Sequence, residues 1–238
     1  MGEGCANDAE LMNYVSSVNI ACGAHAGDAD IMRQTVENAL EKGVAIGAHP
    51  GYPDRENFGR FAMEMSRSDV YDLIEEQFST LKKIADNAGA EISHVKPHGA
   101  LYNRSARDTD LATVIAQAVF DLDPNLILFG LSGSLSISAA EKIGLKTASE
   151  VFADRTYRND GSLTPRTEPH ALIHDTDIAI AQVTQMINDG TVTATDGSVI
   201  QIKADTICIH GDGENALTFA IAIRQRLEAA NINVAAII

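Results

Sequence analysis

The amino-acid sequence predicts an α/β fold in which a parallel sheet is built from alternating strands and helices. Short apolar runs rich in β-branched residues alternate with longer segments whose apolar residues recur every three or four positions. This alternation favours a parallel sheet, because each helix carries the chain back to start the next strand. No linker, low-complexity segment or fixed-period repeat interrupts it, so residues 1–238 are expected to form a single domain.

Six to eight strand–helix units fit this length, as either a closed (β/α) barrel or an open doubly wound sheet. The strands are expected at 17–22, 44–48, 91–96, 125–130, 146–152, 170–173, 205–209 and 233–237. The helices are expected at 28–42, 68–85, 109–119, 175–188 and 214–229. Ser68 is a suitable N-cap for the second of these helices. Glycines stand where helices should stop, at Gly43, Gly89, Gly144 and Gly190.

One segment departs from the alternating pattern. Residues 191–203 are predicted to form a β-hairpin with its turn at Asp196 and Gly197. We interpret this hairpin as an excursion from the main sheet.

The charge balance of the chain argues against polyanionic partners. The formal net charge is −15 and the isoelectric point is about 4.7. An acidic surface repels nucleic acid and anionic membranes, although a locally positive pocket can still hold a small anionic substrate.

Cysteine content and hydropathy predict a cytoplasmic location. The three cysteines, Cys5, Cys22 and Cys208, show no C-x-x-C spacing, so a disulfide framework is not expected. No secretory pattern and no run of about 18 apolar residues is found.

Polar residues gather where the predicted strands end. Five of the seven histidines lie at or just beyond the ends of four of these strands, mostly beside glycine: His25, His49, His94, His98 and His210. The carboxyl ends of parallel strands meet on one face, where active sites of α/β proteins are built. A single histidine at a strand end is more often structural, but five in equivalent positions favour a pocket. We therefore expect this face to hold the catalytic residues Lys96, His98, His49, His25 and Asp154.

Several well-known motifs are absent. There is no G-x-x-x-x-G-K-[ST] loop and no G-x-G-x-x-G after a strand, and "GLSGS" at 130–134 lacks nucleophile-elbow spacing. The H-x-H motif of several metal-dependent hydrolase barrels is also missing. A metal site assembled from different strands stays possible, and the metal is unknown at this point.

Six segments together resemble the LamB/YcsF family. They are "YVSSVNIACGAHAGD", "GVAIGAHPGYPD", "HVKPHGALYN", "EVFADRTY", "DGSLTPR" and "TICIHGD", in this order. The resemblance covers nearly the whole chain and implies a seven-stranded, distorted (β/α) barrel of the glycoside hydrolase/deacetylase type. It also implies the ATP-dependent hydrolysis of 5-oxo-L-proline to L-glutamate as the A subunit of 5-oxoprolinase, with partner subunits B and C handling ATP.

The same resemblance implies roles for further residues. Arg155 is expected to bind the substrate carboxylate or to serve as a structural ion-pair member, and His210, Asp212 and Glu3 are expected near the substrate. Of the family's initial N-x-D-x-G-E motif only Gly2 and Glu3 are matched, so an incompletely closed barrel is expected. A second departure is His170, where the family tends to have glycine.

Two rival functions remain open at the level of sequence. One is a metal-dependent carbohydrate deacetylase that acts without ATP or partners. The other is a non-catalytic subunit that binds a small molecule.

Overall fold

Eight strands are present in the computed structural model, which describes residues 1–238. They are β1 (Ser17–Ala21), β2 (Ala45–His49), β3 (Ile92–Val95), β4 (Ile127–Leu131), β5 (Lys146–Phe152), β6 (Thr191–Thr193), β7 (Val199–Gln201) and β8 (Thr206–Cys208). Six of them form one parallel sheet in the order β1-β2-β3-β4-β5-β8. This confirms the predicted α/β fold with a curled, barrel-like sheet.

The sheet is a half-barrel with six strands, one fewer than the family resemblance implied. It stays open between β1 and β8, because these two edge strands do not pair. On the free side of β1 only Met1 pairs with it: the Met1 nitrogen donates to the Asn19 carbonyl at 2.9 Å, and the Ala21 N–H donates to the Met1 carbonyl at 3.0 Å. This short pairing brings residues 1–3 to the carboxyl end of the sheet.

Eight helices connect and cover the strands. They are α1 (Asp8–Leu11), α2 (Ala29–Lys42), α3 (Arg67–Ala88), α4 (Gly99–Ser105), α5 (Thr109–Leu122), α6 (Leu135–Lys142), α7 (Thr176–Asp189) and α8 (Ala216–Ala229). All five predicted helices are confirmed, whereas α1, α4 and α6 were not predicted. The N-cap of α3 is Ser66 in a capping box with Asp69, not Ser68. No helix is long and apolar enough to cross a membrane.

Two predicted strands are wrong. Residues 170–173 make only one isolated bridge, between Arg155 and Leu172. Residues 233–237 have no regular structure, and their apolar character reflects packing: Ile237 contacts a buried cluster of Ile127, Phe129 and Ala148 on the sheet. The predicted hairpin is confirmed as the separate pair β6–β7.

The two faces of the sheet have different partners. On the outer face, Ile20, Ile46 and Val95 belong to the main hydrophobic cluster, together with Ile74 of α3 and Ile115 of α5. Burial of this face stabilises the fold and fixes the register of each strand, because a shift by one residue would turn apolar side chains inward.

The inner face carries polar residues in layers. His94 of β3 is fully buried, its Nε2 lies 3.1 Å from Asn19 Oδ1, and its ring stacks on Phe129. Gly47 of β2 leaves the space for this ring, since a Cβ there would lie 2.1 Å from His94 Nε2. Side chains alternate along a strand, so Lys96 follows His94 on the inner face, one layer nearer the carboxyl end.

Candidate active site

A cavity of about 1040 Å³ opens at the carboxyl ends of the strands. Seven of the nine predicted site residues line it, namely Glu3, His49, Lys96, His98, Arg155, His210 and Asp212. The other two, His25 and Asp154, contact lining residues from behind. The structure therefore brings the predicted residues together and divides them into distinct groups.

The first group is the histidine–carboxylate cluster, defined as Glu3, His25, His49 and His98. His25 stacks on His98 with ring centroids 3.8 Å apart, and its Nε2 lies 3.1 Å from Glu3 Oε1. His98 Nδ1 lies 3.0 Å from His49 Nε2 and 3.6 Å from Glu3 Oε1. One ligand atom from each of Glu3, His49 and His98 falls within 4.8 Å of the others, so these three could hold a metal ion.

Backbone carbonyls fix the orientation of two of these rings. His49 Nδ1 lies 2.6 Å from the Lys96 carbonyl, and His98 Nε2 lies 2.8 Å from the Phe58 carbonyl. Because a carbonyl oxygen only accepts, both of these ring nitrogens must carry the proton. The tight loop beneath the cluster depends on Gly59, whose φ is +63° and whose added Cβ would lie 2.9 Å from His25 Cβ.

Burial keeps the two ring-fixed histidines neutral and the carboxylate charged. Desolvation, with added repulsion from the neighbouring cationic groups, lowers the pKa of His49 well below its ordinary value and that of His98 to about 3. Burial acts to raise the pKa of Glu3, but its hydrogen bond with His25 and nearby positive charge lower it to about 2. Neutral imidazoles beside a carboxylate keep lone pairs that can bind a cation.

The second group is the Lys96 ion pair. Lys96 Nζ donates to Glu150 Oε1 at 2.6 Å and to Cys208 Sγ at 3.1 Å, and both charged side chains are buried. Burial alone would lower the pKa of Lys96, but Cys208 and Glu150 raise it above the ordinary lysine value. Lys96 therefore stays an ammonium ion. Its chemical role is electrostatic, because an ammonium ion cannot abstract a proton.

Glu150 was missed by the sequence-based prediction. It stands in the strand segment "KTASEVF", where it is the one acidic residue. A carboxylate in the buried part of a strand is a usable signal, because such a residue is almost never buried without a partner.

The third group consists of two ion pairs on the β5–β8 side of the cavity. Asp154 Oδ2 accepts from both the backbone N–H and the Nδ1 of His210, at 3.1 and 2.8 Å. Burial tends to raise the pKa of Asp154, and His210 lowers it. Asp212 pairs with Arg60. Asp154 thus holds His210 in place, and in this arrangement it lies outside the histidine–carboxylate cluster.

Arg155 and Arg166 differ in how far their guanidinium groups are engaged. Arg155 is buried and donates to the Thr164 and Ala171 carbonyls at 2.5 and 3.3 Å, which ties down the segment after β5. Arg166 lines the cavity, half-buried, with no ion-pair partner within 4.0 Å. Burial and the nearby Arg60 charge lower the pKa of Arg166. The sequence analysis named Arg155 and did not name Arg166, which ends the "DGSLTPR" segment.

Comparison with known proteins identifies the family of the chain. A profile of the LamB/YcsF family matches residues 1–238. The chain belongs to the LamB/YcsF family. It is 53% identical over 230 residues to a Bacillus subtilis (strain 168) protein named as the A subunit of 5-oxoprolinase, covering 97% of this chain and 90% of that protein. A protein of the same name from Shouchella clausii (strain KSM-K16) is 54% identical over 230 residues, covering 97% of this chain and 91% of that protein.

A solved structure shares the fold of the whole chain. The crystal structure of the lactam utilization protein from Thermus thermophilus matches with a TM-score of 0.92 and 39% identity, over 100% of this chain and 97% of that chain. His170, named above as a departure from the resemblance, has an unusual backbone conformation. Its φ of +61° lies in the left-handed region, where glycine is the favoured residue.

Proposed function

We propose that this chain is the A subunit of an ATP-dependent 5-oxoprolinase and hydrolyses the lactam bond of 5-oxo-L-proline to give L-glutamate. The observation that carries the proposal is the 53–54% identity, over 97% of the chain, to two proteins named as A subunits of 5-oxoprolinase. The cavity supports it chemically, because it offers a cationic side chain for a carboxylate beside a cluster able to activate water.

Binding of the substrate is assigned to Arg166. 5-Oxo-L-proline carries one carboxylate and one cyclic amide, and a guanidinium without a protein partner can accept a carboxylate in a bidentate contact. Arg155 supports this arrangement, since its hydrogen bonds to the Thr164 and Ala171 carbonyls shape the segment that carries Arg166.

Ring opening is assigned to the histidine–carboxylate cluster and to Lys96. Water adds to the lactam carbonyl carbon, the carbon–nitrogen bond breaks, and the ring nitrogen takes a proton to become the amine of glutamate. The cluster positions the attacking water, and the proton that this water loses passes to the departing ring nitrogen. The Lys96 ammonium at the cavity wall favours the negative charge that develops on the carbonyl oxygen.

Coupling to ATP requires partners under this proposal. The chain has no P-loop, and opening an unstrained lactam is nearly balanced in free energy. We therefore assign ATP to the partner subunits B and C, in an assembly of the cytoplasm.

The test is glutamate release from 5-oxo-L-proline and ATP by the chain alone, by its co-expressed partners alone, and by the assembled complex. Turnover only in the complex, lost when Arg166 is replaced by alanine, is the expected result. ATP-dependent turnover by the chain alone would refute the division of labour. Release of acetate from acetylated sugars without ATP would instead favour a deacetylase, which the possible metal ligands Glu3, His49 and His98 make the relevant second candidate.

A further inference from the structure

We propose that Glu3, His49 and His98 form a binding site for one divalent transition-metal ion, with Zn²⁺ as the best-fitting ion. The inference rests on side-chain geometry and holds for any substrate of the cavity, so it can fail or succeed independently of the proposed function.

The first argument concerns the protons of two histidines. His49 gives its Nδ1–H to the Lys96 carbonyl, and His98 gives its Nε2–H to the Phe58 carbonyl. In neutral rings the remaining nitrogens, His49 Nε2 and His98 Nδ1, carry only lone pairs. They nevertheless face each other at 3.0 Å. Two lone pairs at this distance repel, unless a cation lies between them or one ring is protonated.

The second argument concerns the alternative in which one of the two rings is protonated and the lone-pair repulsion is removed in that way. Both rings are buried and lie against each other, so a further positive charge on either would be poorly solvated. A metal ion removes the repulsion without protonating either ring, because it binds the two lone pairs directly. Carbonyl acceptors on the other ring nitrogens are the usual second contacts of metal-binding histidines.

The third ligand is supplied by Glu3. Its Oε1 lies 3.6 Å from His98 Nδ1 and is held by His25 Nε2 at 3.1 Å. Ligand atoms about 2.0–2.2 Å from a tetrahedral Zn²⁺ lie roughly 3.3–3.5 Å from one another. Two of the three observed spacings, 3.0 and 3.6 Å, bracket that range, and the third, between Glu3 and His49, is longer but within 4.8 Å.

The donor set also indicates what kind of site this is. Two imidazoles and one carboxylate suit zinc and neighbouring transition metals better than Ca²⁺ or Mg²⁺. All three ligands line the cavity, so the remaining coordination position faces it. Three protein ligands with one open position are the arrangement of catalytic zinc, which lowers the pKa of a bound water. His25 acts as a positioning residue through Glu3.

The experiment is a metal titration of the chelator-treated full chain, with Zn²⁺ in competition with a chromophoric chelator and Co²⁺ followed by its visible absorption. We expect one equivalent per chain and a visible Co²⁺ spectrum of low coordination number. Glu3→Gln and His98→Ala should each weaken binding at least about tenfold, as loss of a ligand does. His25→Gln should weaken it less and alter the Co²⁺ spectrum.

The matched control is His174→Ala, which removes an exposed histidine far from the cluster in sequence and should bind as the unaltered chain does. If circular dichroism shows that His98→Ala does not fold, the binding measured for Glu3→Gln decides the question. This variant keeps the size of the side chain and changes a less buried position. Absence of saturable binding, or unchanged binding by Glu3→Gln, overturns the proposal. Histidine NMR showing a protonated His49–His98 pair at neutral pH, without metal binding, also overturns it.

Discussion

At the scale of single residues, the site contains charged groups of two kinds. Some form an ion pair within the protein, as Lys96 does with Glu150. Others keep a free bonding capacity that faces the cavity, as Arg166 does. The first kind contributes to both folding and chemistry, so its substitution has mixed effects, whereas the second kind can be removed with little effect on stability.

Lys96→Ala is expected to destabilise the fold as well as to reduce turnover. It leaves the Glu150 carboxylate buried without a partner, which typically costs about 3–5 kcal/mol. The double variant Lys96→Met/Glu150→Gln removes both charges and should recover much of that loss. Its turnover in the assembled complex should stay about 10²–10⁴-fold low, because the electrostatic contribution of Lys96 is gone. Denaturant unfolding and glutamate release measure the two effects. A stable double variant with normal turnover would show that Lys96 is structural.

Arg166→Ala is expected to raise KM for 5-oxo-L-proline by about 10- to 100-fold, the range for losing a hydrogen bond to a charged group. The unfolding midpoint should change little, because Arg166 has no ion-pair partner to lose. Arg166→Lys should recover only part of the affinity, since an ammonium cannot make a bidentate contact. Arg33→Ala, on the exposed surface of α2, is the matched control. An unaltered KM in Arg166→Ala would remove this residue from the binding site.

At the scale of elements, packing on the inner face of the sheet depends on side chains that fit together across neighbouring strands. Gly47 on β2 and His94 on β3 are such a pair, because the missing side chain of one makes room for the ring of the other. The register between these strands shifts at Ile46 and Gly47, next to this contact.

Gly47→Ala should therefore destabilise the protein by about 1–3 kcal/mol, the usual cost of overpacking. His94→Ala should also destabilise it, by leaving a cavity and an unpaired Asn19. Because His94 does not line the cavity, the turnover of correctly folded His94→Ala should stay close to normal. In the double variant the added methyl group no longer meets the ring, so the combined loss should be clearly smaller than the sum. Additive losses in denaturant unfolding would contradict this packing relation.

Sequence patterns predicted the elements better than the contacts between them. Hydrophobic periodicity located all six sheet strands and five helices, and strand ends located Lys96 and the clustered histidines. The pattern failed at 233–237, because an apolar run indicates burial and burial does not require strand pairing. It also could not separate Arg155 from Arg166, since only tertiary contacts show which guanidinium is already hydrogen-bonded.

At the scale of the whole molecule, the half-barrel buries three histidines whose pKa values are all lowered. These are His49, His94 and His98, with the pKa values of the latter two about 3 because of burial. In the unfolded chain the same groups have pKa values near 6.5. Between these values the unfolded state binds more protons, so acid favours unfolding.

The metal-free protein should therefore lose stability as pH falls below about 6.5, and the loss should continue towards the folded-state pKa values. Each such histidine contributes about 1.4 kcal/mol of loss between neutral pH and pH 5.5. Denaturant unfolding at pH 7.5 and 5.5 measures the sum. The side chain of His94→Gln cannot bind the extra proton when the chain is unfolded. The free energy of unfolding of this variant should therefore depend less steeply on pH. Equal stability at both pH values would mean that these rings are not buried as neutral groups.

The pairing of Met1 with β1 makes the affinity of the cavity depend on a local folding equilibrium. Glu3 reaches the histidines only while residues 1–3 stay docked, through two backbone hydrogen bonds to β1 and one from the Gly2 N–H to Asp8 Oδ2 at 2.7 Å. Any ligand that needs Glu3 binds only the docked fraction of molecules, so its apparent dissociation constant equals the intrinsic one divided by that fraction. By the same linkage, occupation of the site slows hydrogen exchange of the Ala21 amide, which is bonded to Met1.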